Sequence, residues 1–127
     1  MKLRFEKNSI RYRIKKSELE LLKQYGFIKD SVAFPNAVFS YGLHITDEKE
    51  IRPEIINNHI SIYIPSAIAI NWIETDEVGI YHSLNISAQQ TLDIIIEKDF
   101  PCKDRPEEDK SDTFTELVDK DSTGKVC

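Results

Sequence analysis

The segment Ile10–Ser17, with the sequence IRYRIKKS, carries the pattern that decides the fold. Its first five residues alternate between apolar and basic side chains, a period of two that is typical of a half-buried strand. The segment Ile60–Ser66, with the sequence ISIYIPS, has the same alternation and also closes on a serine. Because both segments are followed by helical sequence and then by another strand, we interpret them as two copies of one unit. The alternative is coincidence, since alternating isoleucine strands are common.

Each copy carries signals for a short helix. In the first copy, Ser17 and Glu20 have capping-box spacing, and Gly26 is placed to end the helix. In the second copy, Ser66 is the expected N-cap of a helix that runs to about Glu74.

Further strands flank each helix. A hairpin is predicted around the turn 7–9, and acidic turns at 29–31 and 75–77 lead into strands that begin at Val32 and Val78. The first helix and its turn are expected to be about three residues longer than the second. The order is therefore ββαββ twice, with seven or eight strands and a solvated connector from Thr46 to Arg52, closed by Pro53.

The fold class predicted from this order is β-dominated α+β. We expect one domain over residues 1–98, with halves at 1–46 and 54–98. Residues 99–127 form an acidic tail with few aliphatic residues, which we expect to be partly disordered or draped over the domain.

Composition excludes several classes of protein. The chain has 127 residues, of which 40% are hydrophobic and 31% charged, and a net charge of −5. The longest apolar run, Ala67–Ile70, is far too short for a transmembrane helix. No secretory leader is evident at the N-terminus, so a cytoplasmic location is expected, with Cys102 and Cys127 as free thiols.

The net charge hides a basic region. Residues 1–25 contain eight basic and three acidic residues, whereas the remainder is acidic. A protein of negative mean charge can still present one basic face. The candidate nucleic-acid-binding residues are Arg4, Lys7, Arg11, Arg13 and Lys15.

Two observations weigh against DNA binding. Charged residues on a strand also serve simply to keep its edge from pairing. In the second copy, Ser61 and Tyr63 stand at the positions of Arg11 and Arg13, so a two-fold arrangement would be basic on one side only.

The second copy resembles the swapped-hairpin DNA-binding domains of AbrB regulators and MazE-type antitoxins. The resemblance lies in Ile62–Ser66, in the acidic turn Asp76–Val78 and in the final strand Leu92–Ile96. It implies a barrel in which two ββαββ units exchange hairpins, here within one chain, and DNA contacts in the N-terminal region. The chain departs from the family at Lys15, where the proline is missing, and at Asp76, which precedes Glu77 in place of Gly-Asp.

The whole chain is also similar to an uncharacterised family of short bacterial proteins. The matching residues are Asn8–Arg11 near the start and Ile96–Phe100 with Cys102 near the end. This family implies no activity.

The tail is a candidate for binding a protein partner. The MazE resemblance implies an acidic tail that wraps a toxin, and Phe100, Phe114 and Leu117 are the candidate contacts. One alternative is a tail that only aids solubility. Another is a tail that packs back on the basic face and satisfies Arg11 and Arg13.

Catalytic and metal-binding motifs are not found. The three histidines, at 44, 59 and 82, are far apart in sequence, and there is no nucleophile elbow or glycine-rich phosphate loop. We therefore expect no metal, no cofactor and no enzymatic activity. The expected function is a non-enzymatic DNA-binding regulator or antitoxin, acting as a monomer or weak homodimer. The alternative is a protein-interaction or small-ligand-binding domain that does not bind DNA.

Overall fold

A computed structural model describes residues 1–101 together with Asp112, Phe114 and Leu117. It has eight strands and two helices in the predicted order. The first half contains β1 (Lys2–Glu6), β2 (Ser9–Ile14), α1 (Lys16–Tyr25), β3 (Phe27–Ala33) and β4 (Val38–Thr46). The second half contains β5 (Arg52–Ile56), β6 (His59–Pro65), α2 (Ser66–Glu74), β7 (Gly79–Ser87) and β8 (Gln90–Lys98).

The strands form two four-stranded mixed sheets. Sheet 1 has the order β1-β2-β8-β7, and sheet 2 has the order β3-β4-β6-β5. Each sheet therefore joins one hairpin from each half, with a parallel pair at its centre, β2 with β8 and β4 with β6. The two halves exchange hairpins, so each sheet contains two strands from each half.

The two halves are similar, as the repeated sequence predicted. Ile10 on β2 and Ile60 on β6 both lie next to a central strand from the opposite half, opposite Ile94 and Tyr41 respectively. Both β1–β2 and β5–β6 turn through left-handed residues, Lys7 in one and Asn57 with Asn58 in the other.

The core lies between the inner faces of the two sheets and under the helices. Its fully buried side chains include Tyr12, Leu22, Ile62 and Trp72. Burial of each large apolar side chain contributes about 1.5–3 kcal/mol. Trp72 satisfies its indole N–H by donating to the carbonyl of Val78 at 3.0 Å, which confirms its predicted place in the core.

The helix ends differ slightly from prediction. α1 begins at Lys16, and the N–H of Lys15 donates to the Glu18 carboxylate at 2.9 Å, so Ser17 and Glu20 are not the capping pair. The predicted stop at Gly26 is confirmed by its φ of 80° and its N–H bond to the Leu22 carbonyl. α2 begins at Ser66 itself and is preceded by Pro65.

Two strands were misplaced by sequence reasoning. β3 begins at Phe27, directly after Gly26, and not at Val32, so the first copy's helix and turn are not the longer ones. β5 begins inside the predicted connector and includes Pro53. Both are edge strands, where polar residues and proline are tolerated because one side of the backbone needs no partner.

A closed barrel is not detected. Among the described residues, no ladder joins the edge strands of sheet 1 to those of sheet 2. The helix in each half carries the chain from one sheet to the other, and the result is a β-rich α+β fold with two open sheets.

The described helices are both short, and neither is long and apolar enough to cross a membrane. Most of the predicted tail, including Cys102 and Cys127, lies outside the described residues.

Candidate anion-binding surface on sheet 1

The outer face of sheet 1 gathers four basic side chains around a cavity. Lys2 and Arg4 on β1 lie opposite Arg13 and Arg11 on β2, so the side chains of both pairs are on the same face. Together with Leu3 they line a cavity of about 210 Å³. We call this cavity and its four cations the basic cavity.

Like charges directly opposite each other on neighbouring strands are destabilising, and the structure places carboxylates beside them. Arg11 lies 3.5 Å from Glu97, Lys2 lies 3.2 Å from Asp99, and Arg4 lies 3.5 Å from Glu6. The Arg4–Glu6 pair is exposed and is worth only a fraction of a kcal/mol to about 1 kcal/mol, whereas Glu97 and Asp99 are largely covered.

Arg13 is the most enclosed of the four cations. Its side chain is buried although it lies on the outer face of sheet 1, and its guanidinium lies 5.8 Å from the centre of the Phe100 ring. The N–H of Asp99 donates to the Ile14 carbonyl at 2.8 Å, which fixes the chain beyond β8 next to β2. The first two tail residues thus pack on the basic cavity, in agreement with the alternative in which the tail returns to this face.

Glu97 is held in place by the parallel pairing of β2 with β8. It lies opposite Arg13 and accepts a hydrogen bond from the Tyr81 hydroxyl at 2.8 Å. Burial, and then this bond to a carboxylate, raise the pKa of Tyr81 to about 12. Tyr81 therefore stays a neutral donor at physiological pH and holds the Glu97 carboxylate beside Arg11.

The structure brings together three of the five predicted nucleic-acid-binding residues. Arg4, Arg11 and Arg13 line the basic cavity, and Lys2 joins them although it is not one of the five predicted residues. Lys2 could have been found, because the turn after Glu6 sets it opposite Arg13. Lys7 lies in the β1–β2 turn and Lys15 precedes α1, so both lie outside the cavity lining.

Sheet 2 has a different outer face at the equivalent positions. A row of stacked rings crosses its strands, with Phe27 5.9 Å from His44 and His44 5.0 Å from Tyr63. Arg52 covers the far side of Tyr63 at 4.2 Å and is bound to Glu48 and Glu54. Partial burial, and then the neighbouring His59, lower the pKa of His44. This row is neutral and aromatic where sheet 1 is charged.

The candidate partner-binding residues of the tail are solvent-exposed. Phe114 and Leu117 are both exposed, and the Leu117 N–H donates to the Phe114 carbonyl at 3.0 Å. Phe100 is also half exposed, but its ring meets Arg13. Of these three residues, Phe100 is therefore the one that contacts a cation of the basic cavity.

Within the described part of the chain, no three His, Cys, Asp or Glu side chains are grouped so that they could hold a metal ion. His44 and His59 lie on sheet 2, whereas His82 lies on sheet 1.

Comparison with known proteins gives a family but no activity. No curated protein and no solved structure matches the chain. A family model described as a family of unknown function matches residues 1–117. The chain therefore belongs to this family of unknown function, DUF7009.

Proposed function

We propose that the chain is a non-enzymatic, cytoplasmic binding protein that binds the phosphates of duplex DNA through the basic cavity. The observation that carries the proposal is the placement of Lys2, Arg4, Arg11 and Arg13 on one face of a two-stranded hairpin. Planar guanidinium groups bind phosphate oxygens in pairs, and a two-stranded ribbon fits a DNA groove. We propose a monomer or weak homodimer as the active form.

The exchange of hairpins supports this proposal. Each half places its first hairpin in one sheet and its second hairpin in the other, which is the connectivity expected of a tandem, single-chain AbrB- or MazE-like unit. In that family the N-terminal region contacts DNA. The basic cavity lies on the N-terminal hairpin of this chain.

The proposed contact is one-sided. At the positions of Arg11 and Arg13 the second half has Ser61 and Tyr63, and at the position of Arg4 it has Glu54. The site therefore supplies no more than four phosphate contacts. Affinity for DNA is expected to be modest and strongly dependent on salt.

A small anionic ligand is the second candidate. It is favoured by the recessed shape of the basic cavity, which is lined by four cations in about 210 Å³. A small phosphate or carboxylate compound fits such a space, whereas duplex DNA needs cations that reach outward. A protein partner of the tail, bound through Phe114 and Leu117, is compatible with either ligand, because both side chains are exposed.

Fluorescence anisotropy with a labelled duplex at low salt tests the proposal. The double variant Arg4→Gln/Arg11→Ser removes two cations, and it installs at position 11 the residue that the second half has at Ser61. The matched control is Lys16→Gln/Lys29→Gln, which removes the same charge from exposed positions outside the cavity. We expect the first variant to bind DNA at least about ten-fold more weakly and the control to change it little, since each lost phosphate contact weakens binding.

Equal losses in the two variants would show that only net charge matters, and would contradict the assignment of the site. Loss of binding of inorganic phosphate in Arg4→Gln/Arg11→Ser, with no DNA binding by the wild-type chain, would favour the small-anion candidate.

A further inference from the structure

A second cavity lies at the opposite end of β1, between the two hairpins that are equivalent in the repeat. It has a volume of about 320 Å³ and is lined mainly by apolar side chains from both sheets. The apolar lining residues are Phe5, Ile10, Pro53, Ile55, Ile60 and Leu92. We call this space the apolar cavity. Its volume is within the range of small-molecule sites.

Two of the apolar lining side chains face inward and yet remain exposed. Phe5 lies opposite Ile10, whose side chain faces the core, and Ile55 lies opposite Ile60 in the same way. Phe5 is nevertheless 55% exposed and Ile55 is 69% exposed. Phe5 and Ile55 therefore leave apolar surface at this end that a ligand can cover.

The polar side chains of the lining, with one exception, already have partners. Asn8 donates to the Thr91 carbonyl at 2.6 Å, and the Ser9 hydroxyl donates to the Glu6 carbonyl at 2.7 Å. Glu54 accepts from Arg52 at 2.8 Å. Among the described residues, no hydrogen bond or ion pair engages the ammonium of Lys7, the remaining charged residue of the lining.

Lys7 also occupies an unfavourable backbone position. Its φ is 53°, in the left-handed region that residues with a β-carbon avoid. The equivalent residue of the second half is Asn57, with a φ of 50°, and asparagine tolerates this region well. Lys7 therefore places beside the apolar cavity a positive charge that no other group among the described residues pairs with.

We propose that the apolar cavity binds a small amphiphilic carboxylate, with its hydrocarbon part between the two hairpins and its carboxylate on the ammonium of Lys7. The charge of Lys7 selects an anion, and the apolar walls select a hydrocarbon chain or ring. Since the cavity lies between the two equivalent hairpins, each chain has one such site. This site shares no lining residue with the basic cavity, so the test of the apolar cavity is independent of the test of DNA binding.

Isothermal titration of the full chain with octanoate tests the proposal, with octanol as the uncharged probe of the same length. We expect saturable binding of one octanoate per chain. We expect octanol to bind at least about ten-fold more weakly, which corresponds to a difference of about 1.4 kcal/mol in the free energy of binding. Lys7→Asn places in the first turn the residue that the second turn has, so this variant is expected to fold normally and to lose the preference for octanoate. Lys49→Asn, in an exposed loop outside the cavity, is the matched control.

Urea unfolding of the Lys7→Asn variant accompanies the titration. We expect its free energy of unfolding to be no lower than that of the wild type, so that a loss of binding is not due to a loss of stability. Three results would overturn the proposal: no saturable octanoate binding, equal affinity for octanol, or unchanged octanoate affinity in Lys7→Asn.

Discussion

At Gly42 the backbone of β4 approaches β3 so closely that only glycine fits. A β-carbon there would lie 2.5 Å from the Ile28 carbonyl oxygen, which is backbone and cannot move aside without disturbing the pairing of both strands. Gly26 is a different case, since its φ is +80° but a β-carbon would meet nothing within 4 Å.

Gly42→Ala is therefore expected to lower the free energy of unfolding by more than about 2 kcal/mol. Gly26→Ala is expected to cost about 1 kcal/mol, from left-handed strain alone. Urea denaturation of both variants checks the order. A smaller loss for Gly42→Ala than for Gly26→Ala would contradict the close approach of β3 and β4.

Tyr12 gives the core a dependence on alkaline pH. Its ring is fully buried, and its hydroxyl lies near the Gly42 backbone without a hydrogen bond of ordinary geometry. Burial, followed by the neighbouring Tyr41, raises the pKa of Tyr12 far above the usual 10.0. The folded state therefore holds this proton more tightly than the unfolded state does, so stability is lost as the pH rises above 10.

Tyr12→Phe removes this titration and an unsatisfied hydroxyl. We expect its free energy of unfolding at pH 7 to be no more than about 1 kcal/mol below that of the wild type. Between pH 9 and 11 we expect this free energy to fall less in the variant than in the wild type. Urea titrations across this range measure the effect, with Tyr25→Phe as the exposed control. The same alkaline loss in Tyr12→Phe and wild type would contradict the burial of this hydroxyl.

At the scale of elements, alternation was a reliable signal only where a strand has one buried face. β2 and β6 are central strands, and their isoleucines predicted both correctly. β3 contains Lys29, Asp30 and Ser31, which read as a turn, but it is an edge strand and its polar side chains face solvent.

The basic cavity was predictable only where its residues are brought together by local pairing. Arg4 and Arg11 follow from the local β1–β2 hairpin, whose turn sets the register. Glu97 follows only from the parallel pairing of β2 with β8, which joins residues far apart in the sequence. No local pattern announces such a contact, so the carboxylate beside Arg11 required the structure.

Phe100, two residues beyond the end of β8, lies over the guanidinium of Arg13. Phe100→Ala removes the ring beside Arg13, and we expect a loss of about 0.5–1 kcal/mol in the free energy of unfolding from the cation–π contact. Because this enclosed guanidinium becomes more accessible, DNA affinity is expected to rise several-fold. Urea denaturation and anisotropy measure the two effects.

Phe34→Ala, at an exposed site in the β3–β4 turn, is the control and is expected to leave DNA affinity unchanged. Weaker DNA binding in Phe100→Ala would show that the ring contacts DNA rather than covering Arg13.

At the scale of the whole molecule, the exchange of hairpins makes the two halves depend on each other. Each sheet has its central parallel pair formed by strands from different halves, so unfolding one half removes the partner of the other. We expect a single cooperative transition in urea. Trp72 lies on α2 in the second half, and its fluorescence reports on that half. We expect the unfolding transition followed by this fluorescence to have the same midpoint as the transition followed by far-ultraviolet circular dichroism, which reports on all strands and helices. Two separated transitions would contradict the interdependence of the halves.

The distribution of charge over the whole molecule leads to the central claim. A chain of net charge −5 concentrates four cations at one cavity on its first hairpin, while the equivalent hairpin of the second half has Arg52, Glu54, Ser61 and Tyr63 at these positions. The claim is that this cavity binds the phosphates of DNA, and its most direct test is the affinity of the wild-type chain for duplex DNA as a function of salt.

We predict measurable binding at low ionic strength and a linear decrease of log affinity with log salt, with a slope between about −2 and −4 for two to four phosphate contacts. Absence of binding at low salt, or a slope near zero, would contradict the claim.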